Sequence, residues 1–144
     1  MMKISTKDYF DRIGYNKSPE ISLNTLNELI YLHTTTIPFE NLNPILKIPV
    51  AIDIESITNK IIKNSRGGYC YEQNTLFYHV LSTLGFKTKT LSARVVWNLP
   101  TETITSLTHM LLMVTIKGID YFVDVGFGGQ SLTSAVAFKL NQTQ

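Results

Sequence analysis

The chain of 144 residues has the length of one domain, or of one and a half. With 44% apolar and 17% charged residues, its composition is typical of globular proteins and excludes a disordered chain. The net charge of +2 comes without a basic block, so we expect no nucleic-acid partner and no membrane partner. The longest apolar run, MLLMV at 110–114, is far too short to span a bilayer.

Cys70 is the only cysteine, so an internal disulfide is excluded, and the chain starts without an apolar signal segment. A reducing, cytoplasmic location is therefore expected. One cysteine and three scattered histidines do not form a zinc-ligand cluster, and we expect neither a metal nor a bound cofactor.

Local signals predict helices in the first 86 residues. Ser22 is the expected N-cap of a helix that ends before Pro38 and whose apolar face is formed by Leu23, Leu26, Leu29 and Ile30. The stretch IPFENLNP at 37–44 is expected to be a loop, because two prolines interrupt it.

Two more helices are predicted before residue 86. Asp53 or Ser56 is the expected cap of one, with Ile57, Ile61 and Ile62 along one side. The other begins near Cys70, carries an apolar stripe over residues 76–84, and has Gly85 at the position after its C-terminus where glycine is favoured.

After Gly85 the pattern changes to strands rich in β-branched residues. Strands are predicted in KTKTLSARVVWN at 87–98, LTHMLLMVTI at 107–116 and DYFVDVGF at 120–127, with a further strand-like piece within 134–144. The dipeptide KG, or the longer KGID, between the second and third strands is the expected hairpin turn. Helices followed by antiparallel strands indicate an α+β fold whose sheet retains open edges.

The stretch SRGGYCYEQN at 65–74 places Cys70 in the first turn of a predicted helix. Unpaired N–H groups there favour a thiolate, which is the reactive form, and they can also bind a developing oxyanion. Gly67 and Gly68 allow a tight turn beside the sulfur. A buried structural cysteine is the alternative interpretation.

A histidine and an acid are expected on one face of the hairpin. With KG as a two-residue turn, Thr115 lies opposite Asp120 and His109 opposite Gly126, and Asp124 becomes the diagonal neighbour of His109. A three-residue turn would put them on opposite faces. Cys70, His109 and Asp124 together match the requirements of an activated thiol nucleophile, in which the acid orients the imidazole.

Other polar residues have simpler interpretations. His79 is expected to face away from Cys70 on the same helix, and His33 to act as a cation at a helix C-terminus. Glu72 is expected to complement the dipole of its helix, and Asp120 to be a turn residue.

Four blocks carry a resemblance to a known family. RGGYCYEQN at 66–74 is a full match to the signature R-G-G-x-C-x-E-x-N, and IPFENLN, THMLLMV and YFVDVGFGG occur in the matching order. The chain thereby resembles the arylamine N-acetyltransferases from about Asp8 to its last residues. The resemblance implies a helical bundle at 1–86 that carries the cysteine. An antiparallel β-barrel domain would follow at 87–144, incomplete here, and the family's C-terminal lid would be absent.

The same resemblance implies a cysteine-protease-like triad of Cys70, His109 and Asp124. Acetyl-CoA would be the co-substrate of a ping-pong reaction, and a small aromatic amine or hydrazine the acceptor, as in xenobiotic metabolism. The other implied site residues are Phe39, Tyr71 and Phe127 for the acceptor, Gly126, Gly128 and Gly129 for coenzyme A, and Arg66 paired with Glu40 and braced by Asn43.

Two alternatives stay open. One is a thiol hydrolase or amidase of the papain or transglutaminase type, which uses the same kind of triad. The other is an inactive fragment that serves as a binding module. Because family members are considerably longer, we expect that residues 1–144 alone do not recover full family activity. The sequence does not indicate the oligomeric state.

Overall fold

The computed structural model describes residues 4–100 and 102–139. The helical part contains α1 (Thr6–Ile13), α2 (Leu23–Thr36), α3 (Leu42–Ile45), α4 (Ile54–Ile57), a π-helix (Thr58–Lys63) and α5 (Cys70–Thr83). The strands are β1 (Lys87–Arg94), β2 (Leu107–Ile116), β3 (Ile119–Val123) and β4 (Val136–Ala137).

Helix α2 begins and ends where the sequence predicts. The Ser22 side chain accepts a hydrogen bond from the backbone N–H of Thr25, and the chain is extended at Ile37, directly before Pro38. Helix α5 likewise begins at Cys70, and Gly85 follows its C-cap with a φ of +92°, which favours glycine.

Two helical predictions need correction. The stretch 37–44 is not a loop throughout, because α3 begins at Leu42 and Phe39 forms a parallel β-bridge with Gly68. Asp53 caps α4 as expected, but the chain continues after Ile57 as a π-helix rather than an α-helix. This wider turn carries Lys60.

The four described strands form an open antiparallel sheet in the order β1-β2-β3-β4. Lys117 and Gly118 make the predicted two-residue turn, both with positive φ, and Thr115 pairs with Asp120. The predicted antiparallel sheet with open edges is confirmed over the described residues, and its assignment to an incomplete β-barrel domain stays a prediction. The predicted part of the last strand beyond residue 139 lies outside them.

Two strands are shorter than predicted. β1 ends at Arg94, where the register with β2 shifts, so residues 95–98 are not part of the strand. β3 ends at Val123, and Asp124 lies in the loop that follows. Asp120 lies within β3 rather than in the turn, and its carboxylate accepts a hydrogen bond from Thr115 at 2.6 Å.

One hydrophobic core joins the helices to the sheet. It includes the fully buried side chains of Leu26, Ile61 and Phe77 from the helical part and of Leu112 and Val123 from the strands. Each such side chain contributes about 1.5–3 kcal/mol by leaving water. Because α5 packs on β1 and β2, this core fixes Cys70 relative to the strands. The division into domains 1–86 and 87–144 stays a prediction.

Candidate active site

Cys70 is the first residue of α5, and 9% of its surface is exposed. The loop after β3 packs directly against it. A Cβ atom built on Gly126 would lie 2.9 Å from the Cys70 Cα and 3.2 Å from its carbonyl oxygen. Only glycine fits at this distance, so the close approach itself accounts for Gly126.

His109 lies on β2, and its ring contacts Asp124. Its Nε2 is 2.5 Å from an Asp124 carboxylate oxygen, and both residues are 7% exposed. The hydrogen bond with Asp124, followed by an interaction with Cys70, outweighs burial and raises the pKa of His109 to about 9. The imidazole is therefore protonated at neutral pH, as the partner of a thiolate would be.

The His109–Asp124 contact forms although the β2–β3 ladder stops short of it. The last pair of the ladder is Leu112 with Val123, so the predicted pairing of His109 with Gly126 is absent. Asp124 is instead held in its loop, where its second oxygen accepts from the Gly126 N–H at 2.9 Å. The predicted proximity of His109 and Asp124 is thus confirmed, but the strand pairing that was expected to produce it is absent.

The role of Asn74 was not predicted from the sequence. This residue connects α5 to β2, the strand of His109, and to Asp124. Its side chain donates to the Met110 carbonyl at 2.8 Å and to Asp124 at 3.0 Å, and accepts from the Val125 N–H at 3.2 Å. Asn74 is completely buried. It lies four residues after Cys70 on the same helix face, and that spacing was the available signal.

The loop before Cys70 is fixed by the charged residues that the resemblance names. Arg66 makes two hydrogen bonds of 3.0 Å to the Glu40 carboxylate and one of 2.8 Å to Asn43. Burial opposes ionisation of Glu40, but Arg66 and the charge of Lys60 outweigh it and hold the pKa of Glu40 below its usual value. The Phe39–Gly68 bridge joins the same two segments through their backbones.

Glu72 is more than the helix-dipole complement expected from the sequence. Its carboxylate is almost fully buried. It accepts hydrogen bonds from the Lys60 ammonium at 2.8 and 3.0 Å and from the Tyr69 N–H at 3.1 Å. Sequence reasoning also missed Lys60. No local pattern indicates the pair, because the two residues lie on different helices.

The aromatic residues expected around the acceptor occupy different positions. Phe127 packs edge-on against the His109 ring, with 5.3 Å between ring centroids. Phe39 is 43% exposed and lines a cleft of about 210 Å³ together with Gly128 and Gly129. Tyr71 is half-buried beside Tyr69 and does not line that cleft.

Gly128 and Gly129 both have positive φ values. A Cβ on Gly128 would also lie 2.9 Å from the Phe39 ring. The backbone after Asp124 therefore needs glycine both for its conformation and for its packing.

His33 is not the helix-terminal cation expected from the sequence. It is fully buried, with Tyr9 at 3.0 Å from one ring nitrogen and Gln73 at 3.1 Å from the other. Burial lowers the pKa of His33 to about 4, so the ring is neutral. Gln73 in turn donates to the Gly68 carbonyl at 2.7 Å and thereby supports the loop before Cys70.

Within residues 4–100 and 102–139, no helix combines the length and the apolar character needed to cross a membrane.

Comparison with known proteins by sequence points to one family. A sequence profile described as N-acetyltransferase matches residues 22–144. The chain is 43% identical over 147 residues to the arylamine N-acetyltransferase of Mycolicibacterium smegmatis, a match that covers 99% of this chain and 54% of that protein. It is 41% identical over 128 residues to the arylamine N-acetyltransferase of Escherichia coli, covering 89% and 45%.

Solved structures give the same result. The arylamine N-acetyltransferase from M. tuberculosis matches with a TM-score of 0.91 and 41% identity, over 97% of this chain and 54% of that one. The Mycobacterium marinum arylamine N-acetyltransferase in complex with CoA matches with a TM-score of 0.89 and 39% identity, over 97% and 53%. The chain therefore spans about half the length of the curated relatives it matches.

Proposed function

Because the chain belongs to the arylamine N-acetyltransferase family, we propose that it transfers an acetyl group from acetyl-CoA, through Cys70, to an arylamine or arylhydrazine. The observation that carries this proposal is the 2.5 Å contact of His109 with Asp124, which together with Cys70 raises the pKa of the His109 ring to about 9. The CoA complex of the M. marinum relative supports acetyl-CoA as the donor.

In the first half-reaction the Cys70 thiolate attacks the carbonyl carbon of the thioester. The tetrahedral oxyanion would be stabilised by N–H groups in the first turn of α5. As the bond between the acetyl carbon and the CoA sulfur breaks, His109 gives its proton to the leaving thiolate. Free CoA departs, and the acetyl group remains on Cys70.

In the second half-reaction the acceptor nitrogen attacks the acetyl-cysteine. His109, now neutral, takes the proton that the nitrogen loses, and the bond from the acetyl carbon to the Cys70 sulfur breaks. This step restores the thiolate–imidazolium pair. Asp124 remains ionised and orients the ring throughout.

The family resemblance also gives roles for neighbouring residues. Phe127 is proposed to contact the acceptor, because its ring already lies against His109. Phe39 and Tyr71 would complete the acceptor pocket, although Tyr71 has less support because it does not line the cleft beside Phe39. Coenzyme A would pass the glycine-rich backbone formed by Gly126, Gly128 and Gly129.

The remaining roles concern the scaffold and the location. Arg66, Glu40 and Asn43 would hold the loop that carries Cys70, in agreement with their mutual hydrogen bonds. The segment 1–86 would correspond to the family's helical bundle and 87–144 to the first part of its barrel domain. A reducing compartment such as the cytoplasm would keep Cys70 in its free form.

The first half-reaction can be tested directly by intact-protein mass spectrometry. After incubation with acetyl-CoA, we expect the mass of one acetyl group on the wild type and none on Cys70→Ala. Adding an aromatic hydrazine should remove the label and yield acetylated hydrazine.

Three other results would contradict the proposal. Loss of the label to water alone would support the hydrolase alternative. No acetylation, combined with an unreactive thiol near neutral pH, would support the binding module. Acetylation that persists in Cys70→Ala would exclude Cys70 as the acetyl carrier.

A further inference from the structure

Lys60 holds the loop before Cys70 directly where the loop begins, and through Glu72 where the loop ends. Its backbone carbonyl accepts the Arg66 N–H at 3.1 Å, where the loop begins. Its side chain binds Glu72, whose carboxylate accepts the Tyr69 N–H directly before Cys70. The π-helix places both groups of this one residue against the loop.

The charges around Lys60 are balanced in a largely buried space. Lys60 and Glu72 have side chains that are 12% and 2% exposed, and Lys60 also lies 3.5 Å from Glu40. Glu40 is paired with Arg66, so two anions meet two cations. Removing either partner of a buried pair leaves the other charge uncompensated.

The negative charge of Glu72 is unfavourable for a thiolate at Cys70. Its carboxylate is two residues from Cys70, in the turn whose N–H groups favour a thiolate. A second negative charge in that turn opposes ionisation of the thiol, and burial leaves little screening by salt. The Lys60 ammonium cancels that charge while allowing the carboxylate to keep its hydrogen bond to Tyr69.

We infer that Lys60 is a positioning residue for Cys70: through Glu72 it fixes the turn around the nucleophile and neutralises the buried carboxylate of that turn. The inference rests on the proposed function, in which Cys70 acts as a thiolate. The Lys60 side chain contacts Glu72 and Glu40, and it has no proposed contact with the sulfur or with a reacting atom.

The rate of alkylation by iodoacetamide measures the reactive thiolate, and Cys70 is the only residue that can supply it. The pH profile is recorded for the wild type, Lys60→Met and Lys60→Gln. Lys63→Met is the matched control, because Lys63 lies on the same π-helix and is exposed. Far-UV circular dichroism verifies that each variant is folded, and Lys60→Gln decides the outcome if Lys60→Met does not fold.

We expect the alkylation profiles of both Lys60 variants to be displaced by about one unit to higher pH, so that on the acidic limb of the wild-type profile both react about tenfold more slowly. At high pH, where the thiol is fully ionised, their rates should approach that of the wild type. General loss of structure would not produce this convergence. The double variant Lys60→Met/Glu72→Gln should recover to within about threefold of the wild type, because a neutral amide still accepts the Tyr69 N–H.

Two results would overturn the inference: folded Lys60 variants with the wild-type pH profile, or a double variant as slow as Lys60→Met. Failure of the proposed function is recognised separately. In that case the wild type itself would react near pH 7 no faster than the same protein unfolded in urea, and the inference would fall with it.

Discussion

The pH dependence of stability provides a direct test of the His109–Asp124 pair. The change is His109→Gln, which keeps a hydrogen-bond donor but cannot carry a proton charge. It is made in a Cys70→Ala background, so that titration of the thiol does not contribute. His79→Gln in the same background is the control, since burial lowers rather than raises the pKa of His79.

The sign and size follow from the raised pKa of His109. An ordinary imidazole titrates near 6.5, whereas His109 in the folded protein titrates at about 9. The folded state therefore holds this proton more tightly. The contribution of this proton to the free energy of unfolding is complete below about pH 6.5 and is lost as the pH rises through about 9. At about 1.4 kcal/mol per pH unit it amounts to about 3 kcal/mol. In the Cys70→Ala background the interaction with Cys70 no longer raises the pKa of His109, so we expect a smaller contribution to stability there, about 2 kcal/mol.

The assay is urea unfolding at about pH 6 and about pH 9.5. Between these values, the background protein should lose about 2 kcal/mol more of its free energy of unfolding than the His109→Gln variant. The His79→Gln control should follow the background. If the background and the His109→Gln variant lose the same amount, His109 is not held protonated by Asp124, and the thiolate–imidazolium interpretation loses its basis.

Three further predictions concern buried groups around the site. Asn74→Ala removes a hydrogen-bond donor to Asp124 and leaves the buried Val125 N–H without its acceptor, so it should lower the free energy of unfolding by about 2–4 kcal/mol in urea titrations, with slower alkylation of Cys70 at pH 7. A wild-type value in both assays would contradict the role of Asn74. Gly126→Ala brings a Cβ within 2.9 Å of the Cys70 Cα and should cost about 1–3 kcal/mol, measured by thermal unfolding; an unchanged Tm would show that the loop moves away freely. Since the pKa of His33 is about 4 in the folded state and 6.5 when unfolded, stability should fall as the pH drops from about 6.5 to about 4. His33→Gln should flatten that fall in urea titrations, and an equally steep fall in the variant would refute a neutral buried ring.

The elements that the sequence predicts well are those specified by neighbouring residues. Ser22, Pro38 and Gly85 mark helix ends through contacts within a few positions, and the KG turn needs only two residues with positive φ. The register of the hairpin follows from that turn, which is why Thr115 and Asp120 pair as predicted. Cys70 at a helix start is local information of the same kind.

The features that escaped prediction depend on contacts between distant segments. His33 becomes a neutral core residue because burial lowers the pKa of its ring, and its two ring nitrogens are bonded by Tyr9 and Gln73 from two other helices. Lys60 meets Glu72 only because the chain after Ile57 widens into a π-helix, and no apolar spacing distinguishes that turn from an α-helical one. The end of β3 at Val123 is similar, since the next residue is removed from the ladder by its contacts with Asn74 and His109.

The open sheet does not leave the triad without support. β1 pairs with β2 at His109 on one side, and the Asn74 side chain on α5 fixes both the Met110 backbone and Asp124 on the other. The relative position of Cys70 and His109 is therefore set, within the described residues, by the packing of α5 on β1 and β2. By contrast, Phe39 is 43% exposed at the cleft proposed for substrates. In the proposed function, acetylation of Cys70 would therefore depend on buried contacts within the described residues, whereas acceptor binding would depend on a cleft at which Phe39 is partly exposed.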